Sequence, residues 1–317
     1  MSEALEIILP PAMEYRGGSK VSGTLRVSTE KPKAVNSITV RLFGCSNVEW
    51  TEQRPDPNGG AIPITVFHRG NRTHAESSIT VWSNKESPGI NEQFRPGEYQ
   101  YPFSFILPLD IPATFNGVYG NIKYGIAAHI DTPGLFSDEH TSFLFPVVHD
   151  VKVQDTKLLR SVRMEMQKTL CCWCCTSGPI VLTVALPRQA YCIGETLPVS
   201  VTVENGSGRA LSAFAVFAQH ILYTASMPAV GTNTEKNTIM EEQLGKIESA
   251  STFENTCFSS NVLPALLYPT CTTTDPSAII EVCYEIAVNV EVPWGLDMLL
   301  KVPITIVSVP LQEQNNH

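Results

Sequence analysis

Between Val282 and Val292 an apolar or aromatic residue stands at every second position: Val282, Tyr284, Ile286, Val288, Val290 and Val292, with Glu285, Asn289 and Glu291 between them. A strand turns successive side chains to opposite faces, so this pattern calls for a sheet with one buried and one wet face. The same period recurs in Val21, Gly23, Leu25 and Val27; in Ile38, Val40 and Leu42; and in Tyr99, Tyr101, Phe103, Phe105 and Leu107. In the second half it recurs in Ile180, Leu182, Val184 and Leu186, and in Leu197, Val199, Val201 and Val203. Antiparallel sandwiches have this signature. The 23 prolines and 20 glycines fall mostly between the runs, as at Pro55, Pro57, Gly59 and Gly60, where turns are expected. Two stretches compete as helices, "DTKLLRSVRMEMQK" and "IMEEQLGKIES", although each also fits an amphipathic strand or a loop edge.

A chain of 317 residues is long for one core, and the sequence repeats itself. "YRGGSKVSGTLRV" from Tyr15 matches "YCIGETLPVSVTV" from Tyr191, aligning Gly18 with Gly194, Val21 with Leu197 and Leu25 with Val201. "IKYGIAAHID" from Ile122 matches "VCYEIAVNVE" from Val282. Two matches in the same order predict an all-β chain of two tandem antiparallel β-sandwich domains. We place the first over residues 1–152, a basic connector over 153–170, the second over 171–312 and a short tail over 313–317.

Net charge of −9 argues against nucleic acid, whose phosphates need a dense basic surface. No run reaches the roughly 18 apolar residues that span a bilayer, and the start "MSEALEIILPPAMEY" lacks the layout of a secretory signal. A cytosolic protein is expected. A disulfide framework is then not expected from nine cysteines, and Asn71-Arg-Thr73 and Asn205-Gly-Ser207 are chance sequons.

No GxSxG, HExxH, P-loop or GxGxxG motif is present, so no enzyme, metal or cofactor is predicted. His68 and His74, in a polar and loop-like stretch, read as surface histidines. The cluster Cys171, Cys172, Cys174 and Cys175 in "CCWCC" lacks a second cysteine pair for zinc and the βαβ context of a redox CxxC. It fits a short apolar strand packed between domains, in which Cys171, Trp173 and Cys175 share a face. It also fits S-acylation, because Lys152, Lys157, Arg160, Arg163 and Lys168 precede it and suit a membrane surface.

"YRGGSKVSGTLRV", "FRPGEYQYPFSFILPLDIPATFNGVYGNIKY", "CCWCCTSGPI", "YCIGETLPVSVTVENGSGR" and "GLDMLLKVPITIVSVPL" together resemble the α-arrestins, the arrestin-domain-containing family that includes thioredoxin-interacting protein. That resemblance implies two arrestin-like sandwiches in an adaptor that binds membrane-protein cargo at the plasma membrane and endosomes. It also implies a tail with PPxY motifs, which dock WW domains of HECT-type ubiquitin ligases. The sequence departs from this pattern: it holds no PPxY and ends at "SVPLQEQNNH", so ligase recruitment is expected to be indirect, or the chain competes with tailed relatives. Cys257 in "NTCFSSN" lies near the matching place of a thioredoxin contact, which makes a redox-linked thioredoxin binder the main alternative. A retromer-type cargo scaffold and a secreted adhesion protein are further rivals. Exposed strand edges and concavities are the expected binding surfaces.

Overall fold

The computed structural model describes residues 4–11, 14–57, 59–84, 94–133, 139–153, 155–172, 175–271 and 278–309. The chain forms two units: residues up to 149 with the segments 224–232 and 277–279, and the remainder from Asp150. Among the described residues there is no α-helix.

Unit 1 holds β1 (Ala4–Ile8), β2 (Lys20–Thr29), β3 (Ser37–Arg54), β4 (Ile64–Ser83), β5 (Gly97–Ile106), β6 (Phe115–Asn116), β7 (Gly120–Asp131) and β8 (Glu139–Phe145). One sheet runs β1-β2-β5 and the other β4-β3-β7-β6, with β8 also paired to β7. The alternation is realised as burial: Val21, Leu25, Ile38, Val40, Leu42, Tyr124 and Ile126 all lie in the core.

Unit 2 begins with a 3-10 turn at Thr156–Leu159, followed by β9 (Val162–Cys172), β10 (Cys175–Leu186), β11 (Ala190–Cys192), β12 (Val199–Asn205) and β13 (Leu211–Ala225). It continues with β14 (Gly231–Ile247), β15 (Ser251–Cys257), β16 (Ile280–Glu291) and β17 (Met298–Val307). Its sheets are β15-β12-β10-β9 and β11-β17-β16-β13-β14.

The sequence repeat is also a structural one. Tyr15 bridges Val147 in parallel, and Tyr191 pairs with Ile306 in parallel, so each unit ties its entry to its closing segment in the same way. Gly18 and Gly194 both take left-handed φ, 79° and 87°, which glycine adopts without the Cβ penalty. The aligned Tyr124 and Tyr284 are both buried, and each hydroxyl donates to an upstream carbonyl: Pro112 O at 2.8 Å and Tyr268 O at 2.5 Å.

Both helical readings give way to strand. Asp155 accepts from the Lys157 N–H and caps the 3-10 turn, but from Val162 the chain pairs along β10. Met164 and Met166 lie opposite the buried Val184 and Leu182, so a place on the sheet overrides the helix-forming composition. "IMEEQLGKI" lies within β14 for the same reason. Of the expected connector 153–170, residues 162–170 are therefore strand, and Arg163 and Lys168 sit on a sheet edge. The single strand expected through "CCWCC" is likewise replaced by a reversal: Cys172 pairs with Cys175 and Cys171 with Thr176. Trp173 and Cys174, and the side chains of Cys171, Cys172 and Cys175, lie outside the described residues.

On the face of unit 2 opposite Tyr284, Glu285 lies 3.0 Å from His220 Nε2 and 2.9 Å from Lys301 Nζ. Burial alone would raise its pKa, but the Lys301 hydrogen bond and the charges of His220 and Lys301 outweigh burial and hold it below the ordinary value. A carboxyl depressed in the folded state stabilises above its unfolded pKa and loses that contribution as pH falls through the folded value. Lys301→Met is expected to move this acid loss to higher pH, read as the melting temperature of the variant and the parent between neutral pH and mild acid. Parallel curves would remove Lys301 from the account.

Candidate functional site

The β3–β4 ladder does not stop at the body of unit 1. Past Val48↔Gly70 it continues as an arm, from Glu49↔Arg69 to Arg54↔Ile64. Near the base of the arm Trp50 and His68 are cross-strand neighbours with rings stacked 5.0 Å apart at 10°. His68 is only 5% exposed, and its Nε2 lies 2.9 Å from Glu52 Oε2. Hydrogen bonds from Arg54 and then His68 hold the Glu52 carboxyl below its ordinary pKa. The expected surface histidines are therefore corrected: both lie in β4, His68 is buried, and His74 Nε2 is 2.5 Å from Ser46 Oγ. Beyond this stack the arm displays Phe67, Ile64 and Ile62 to solvent.

Two further connections of unit 1 meet the base of the arm. Glu49 N–H donates to Tyr119 O at 2.8 Å, fastening residues 117–119 to β3. Arg69 exchanges backbone hydrogen bonds with Met227, 2.9 and 3.0 Å, fastening residues 226–230 to β4. Gly70 permits this approach, because a Cβ there would stand 2.9 Å from Thr224 O and 3.3 Å from Ala225 Cα. Val118, Met227 and Val230 point outward, the last 81% exposed.

These elements enclose an open groove of about 520 Å³. Its polar lining is amide-rich: Asn71 Nδ2 donates to Asn47 Oδ1 at 2.6 Å, and Asn121 and Tyr119 stand nearby. Arg69 and Glu49 form a 3.1 Å ion pair on its wall. Amides, a cation, a carboxylate and exposed aliphatic tips suit hydrogen bonding and side-chain capture of an extended polypeptide. No described lining residue pairs a nucleophile with a base. The sequence did not single out Ile62, Val118, Met227 or Val230, since connection residues carry no period, although Gly-Val-Tyr-Gly at 117–120 is a turn signal beside a strand.

Cys257 sits elsewhere, at the end of the edge strand β15, opposite Val199. It is fully buried, its thiol faces Val199 O at 3.5 Å, and burial followed by the Glu242 charge pushes its pKa up to about 12. A buried, protonated thiol is a poor nucleophile and offers no contact to a redox partner, which speaks against the thioredoxin expectation. Iodoacetamide is expected to leave Cys257 unmodified in the native protein and to alkylate it in denaturant, read by peptide mass spectrometry. Rapid native labelling would restore it as a redox candidate.

Two tandem antiparallel sandwiches, one of them presenting an open groove built from connections, make this a tandem β-sandwich protein. Residues 7–154 match the N-terminal domain of arrestin (or S-antigen), and residues 176–311 match the C-terminal domain. The chain belongs to the α-arrestins. It is 27% identical over 304 residues to arrestin domain-containing protein 4 of Homo sapiens, covering 93% of this chain and 68% of that one. It is 22% identical over 313 residues to human arrestin domain-containing protein 5, covering 96% and 88%. Arrestin domain-containing protein 17 of Caenorhabditis elegans is 26% identical over 325 residues, with 96% and 70% covered. An adaptor-type role follows at the level of the family. No helix among the described residues is long and apolar enough to cross a membrane.

Proposed function

We propose that this chain is a non-enzymatic adaptor in membrane-protein trafficking, which works at the cytosolic face of the plasma membrane and endosomes and grips receptor or transporter cargo with the arm and groove of unit 1. The observation that carries this reading is the meeting of two connections, residues 117–119 and 226–230, at the base of the arm, where the exposed Val118 and Met227 line an amide-rich groove. Solvent-facing aliphatic tips beside side-chain amides are the composition of a polypeptide-binding surface. A HECT-type ubiquitin ligase that joins the cargo complex completes this reading.

Affinity purification of the tagged chain from detergent-solubilised membranes tests the reading. Polytopic cargo with a HECT ligase supports the adaptor with a bridging partner, and cargo without ligase supports a competitor of tailed relatives. Thioredoxin alone sinks the trafficking reading. Cys171, Cys172, Cys174 and Cys175 are proposed S-acylation sites: a cysteine thiolate attacks an acyl-CoA thioester, forming the protein thioester and releasing the coenzyme A thiol. Hydroxylamine-sensitive labelling that survives mutation of all four would remove them from the account.

A further inference from the structure

The sheet β15-β12-β10-β9 of unit 2 ends on β9, and among the described residues no strand pairs with β9 on the side away from β10. From Val162 to Lys168 the strand runs without irregularity along Leu186 to Ile180, so its outer edge offers an evenly spaced row of backbone N–H and C=O groups. The long edge of the other sheet, β14, is guarded by polar side chains turned toward the core: Glu235 accepts from the buried Tyr223 hydroxyl at 2.6 Å, and Asn237 donates to the buried Gln219 at 3.3 Å. On β9 the core-facing positions are instead Val162, Met164 and Met166, beside the buried Leu186, Val184 and Leu182. Met164 and Met166 stay 38% and 37% exposed at the rim. Arg163 and Glu165 alternate with them on the outer face, 4.0 Å apart and both well exposed. Lys168 closes the stretch, its Nζ donating to Leu296 O.

This edge is complementary to itself. About a two-fold axis through Met164, an antiparallel copy sets Arg163 opposite Glu165 of the second copy and Glu165 opposite its Arg163, while Met164 meets Met164 and Val162 meets Met166. Directly opposed residues of such a pair have Cβ atoms about 5 Å apart, within reach of an ion pair on the outer face and of apolar contact on the core face. Moving the axis by one residue either way places Arg163 on Arg163 or Glu165 on Glu165, and like charges directly opposite are destabilising. The charges therefore select one register. In that register the buried rows run on across the edge: Val184 and Met164 meet Met164 and Val184, and Leu182 and Met166 meet Val162 and Leu186.

We propose that the β9 edge is the contact of a two-fold dimer of this chain, in which two copies pair β9 antiparallel and join two four-stranded sheets into one continuous sheet. A two-fold interface presents the same patch from both sides and so has to be self-complementary, which is the property that the order Val162-Arg163-Met164-Glu165-Met166 supplies. Pairing satisfies the open backbone groups and covers the rim thioethers, the two features that make a regular edge strand adhesive. The charge pairs add specificity of register more than strength, since each stays at the surface. A dimer also displays every other surface of the chain twice, and linked sites gain avidity without a new contact. The inference does not rest on the adaptor reading and does not involve the groove of unit 1.

Sedimentation velocity of the purified full chain, free of cargo and under reducing conditions, tests it. The parent is expected to pass from monomer to dimer between about 1 and 100 μM. Arg163→Glu sets two like-charge pairs across the axis, and so does Glu165→Arg; each variant alone should dimerise about tenfold more weakly or worse. Mixing the two variants restores both opposite-charge pairs, so the mixture should dimerise like the parent, as should the swap Arg163→Glu/Glu165→Arg. Both side chains are exposed, and the melting temperatures should match. A parent that stays monomeric would overturn the proposal and leave the edge to a strand of another protein. Single variants that dimerise like the parent, a mixture that stays monomeric, or a dimer that forms only without reductant would each overturn it as well. Cargo capture by monomeric Arg163→Glu in detergent reports separately on the adaptor reading.

Discussion

Replacing Gly44 by valine is expected to lower the melting temperature of unit 1 by about 10 °C, the shift that a loss of about 3 kcal/mol produces in a domain of this size. Gly44 lies within β3, between β4 and β7, where a Cβ would stand 2.4 and 2.5 Å from the Tyr124 ring and 3.1 Å from Ala75 Cβ. Tyr124 has no room to retreat: it is fully buried, and its hydroxyl is anchored to Pro112 O. Gly44→Ala should cost less, because one methyl asks for a smaller shift of the ring. Differential scanning calorimetry checks both variants, and a valine variant that melts like the parent would show that the core around Tyr124 relaxes freely.

The triple change Ile62→Asp/Val118→Asp/Met227→Asp is expected to reduce cargo recovery at least about tenfold, since apolar contacts at a binding surface are lost and desolvated charges take their place. All three side chains are well exposed, so the melting temperature should stay close to that of the parent. That separation of binding from stability is what distinguishes the two variants: Gly44→Val acts through the core, and the triple variant through the surface. Quantitative mass spectrometry of cargo co-purified with each chain is the measurement. Undiminished recovery with the triple variant would place cargo binding away from the arm and groove of unit 1.

Much of the architecture was legible in the residues because burial on a strand has a period. Val282 to Val292, Leu197 to Val203 and Val21 to Val27 alternate in sequence and alternate in burial, and the Tyr15/Tyr191 and Tyr124/Tyr284 matches hold equivalent places in the two units. Segments that owe their state to a partner strand were not legible. Residues 162–168 have helix-forming composition and become strand because β10 offers Leu182 and Val184 beside Met166 and Met164. The polar surroundings of His68 suggested a loop, yet the ring is buried by the stack on Trp50 across the arm. The sequence by itself determined the period, the duplication and hence two all-β units. The tertiary structure alone decided which connections meet. Arg69, Val118 and Met227 converge, as do Lys168, Arg209 and the connection at 293–296, because ladder register and hairpin ends bring together residues far apart in the chain, and no local period encodes such a meeting.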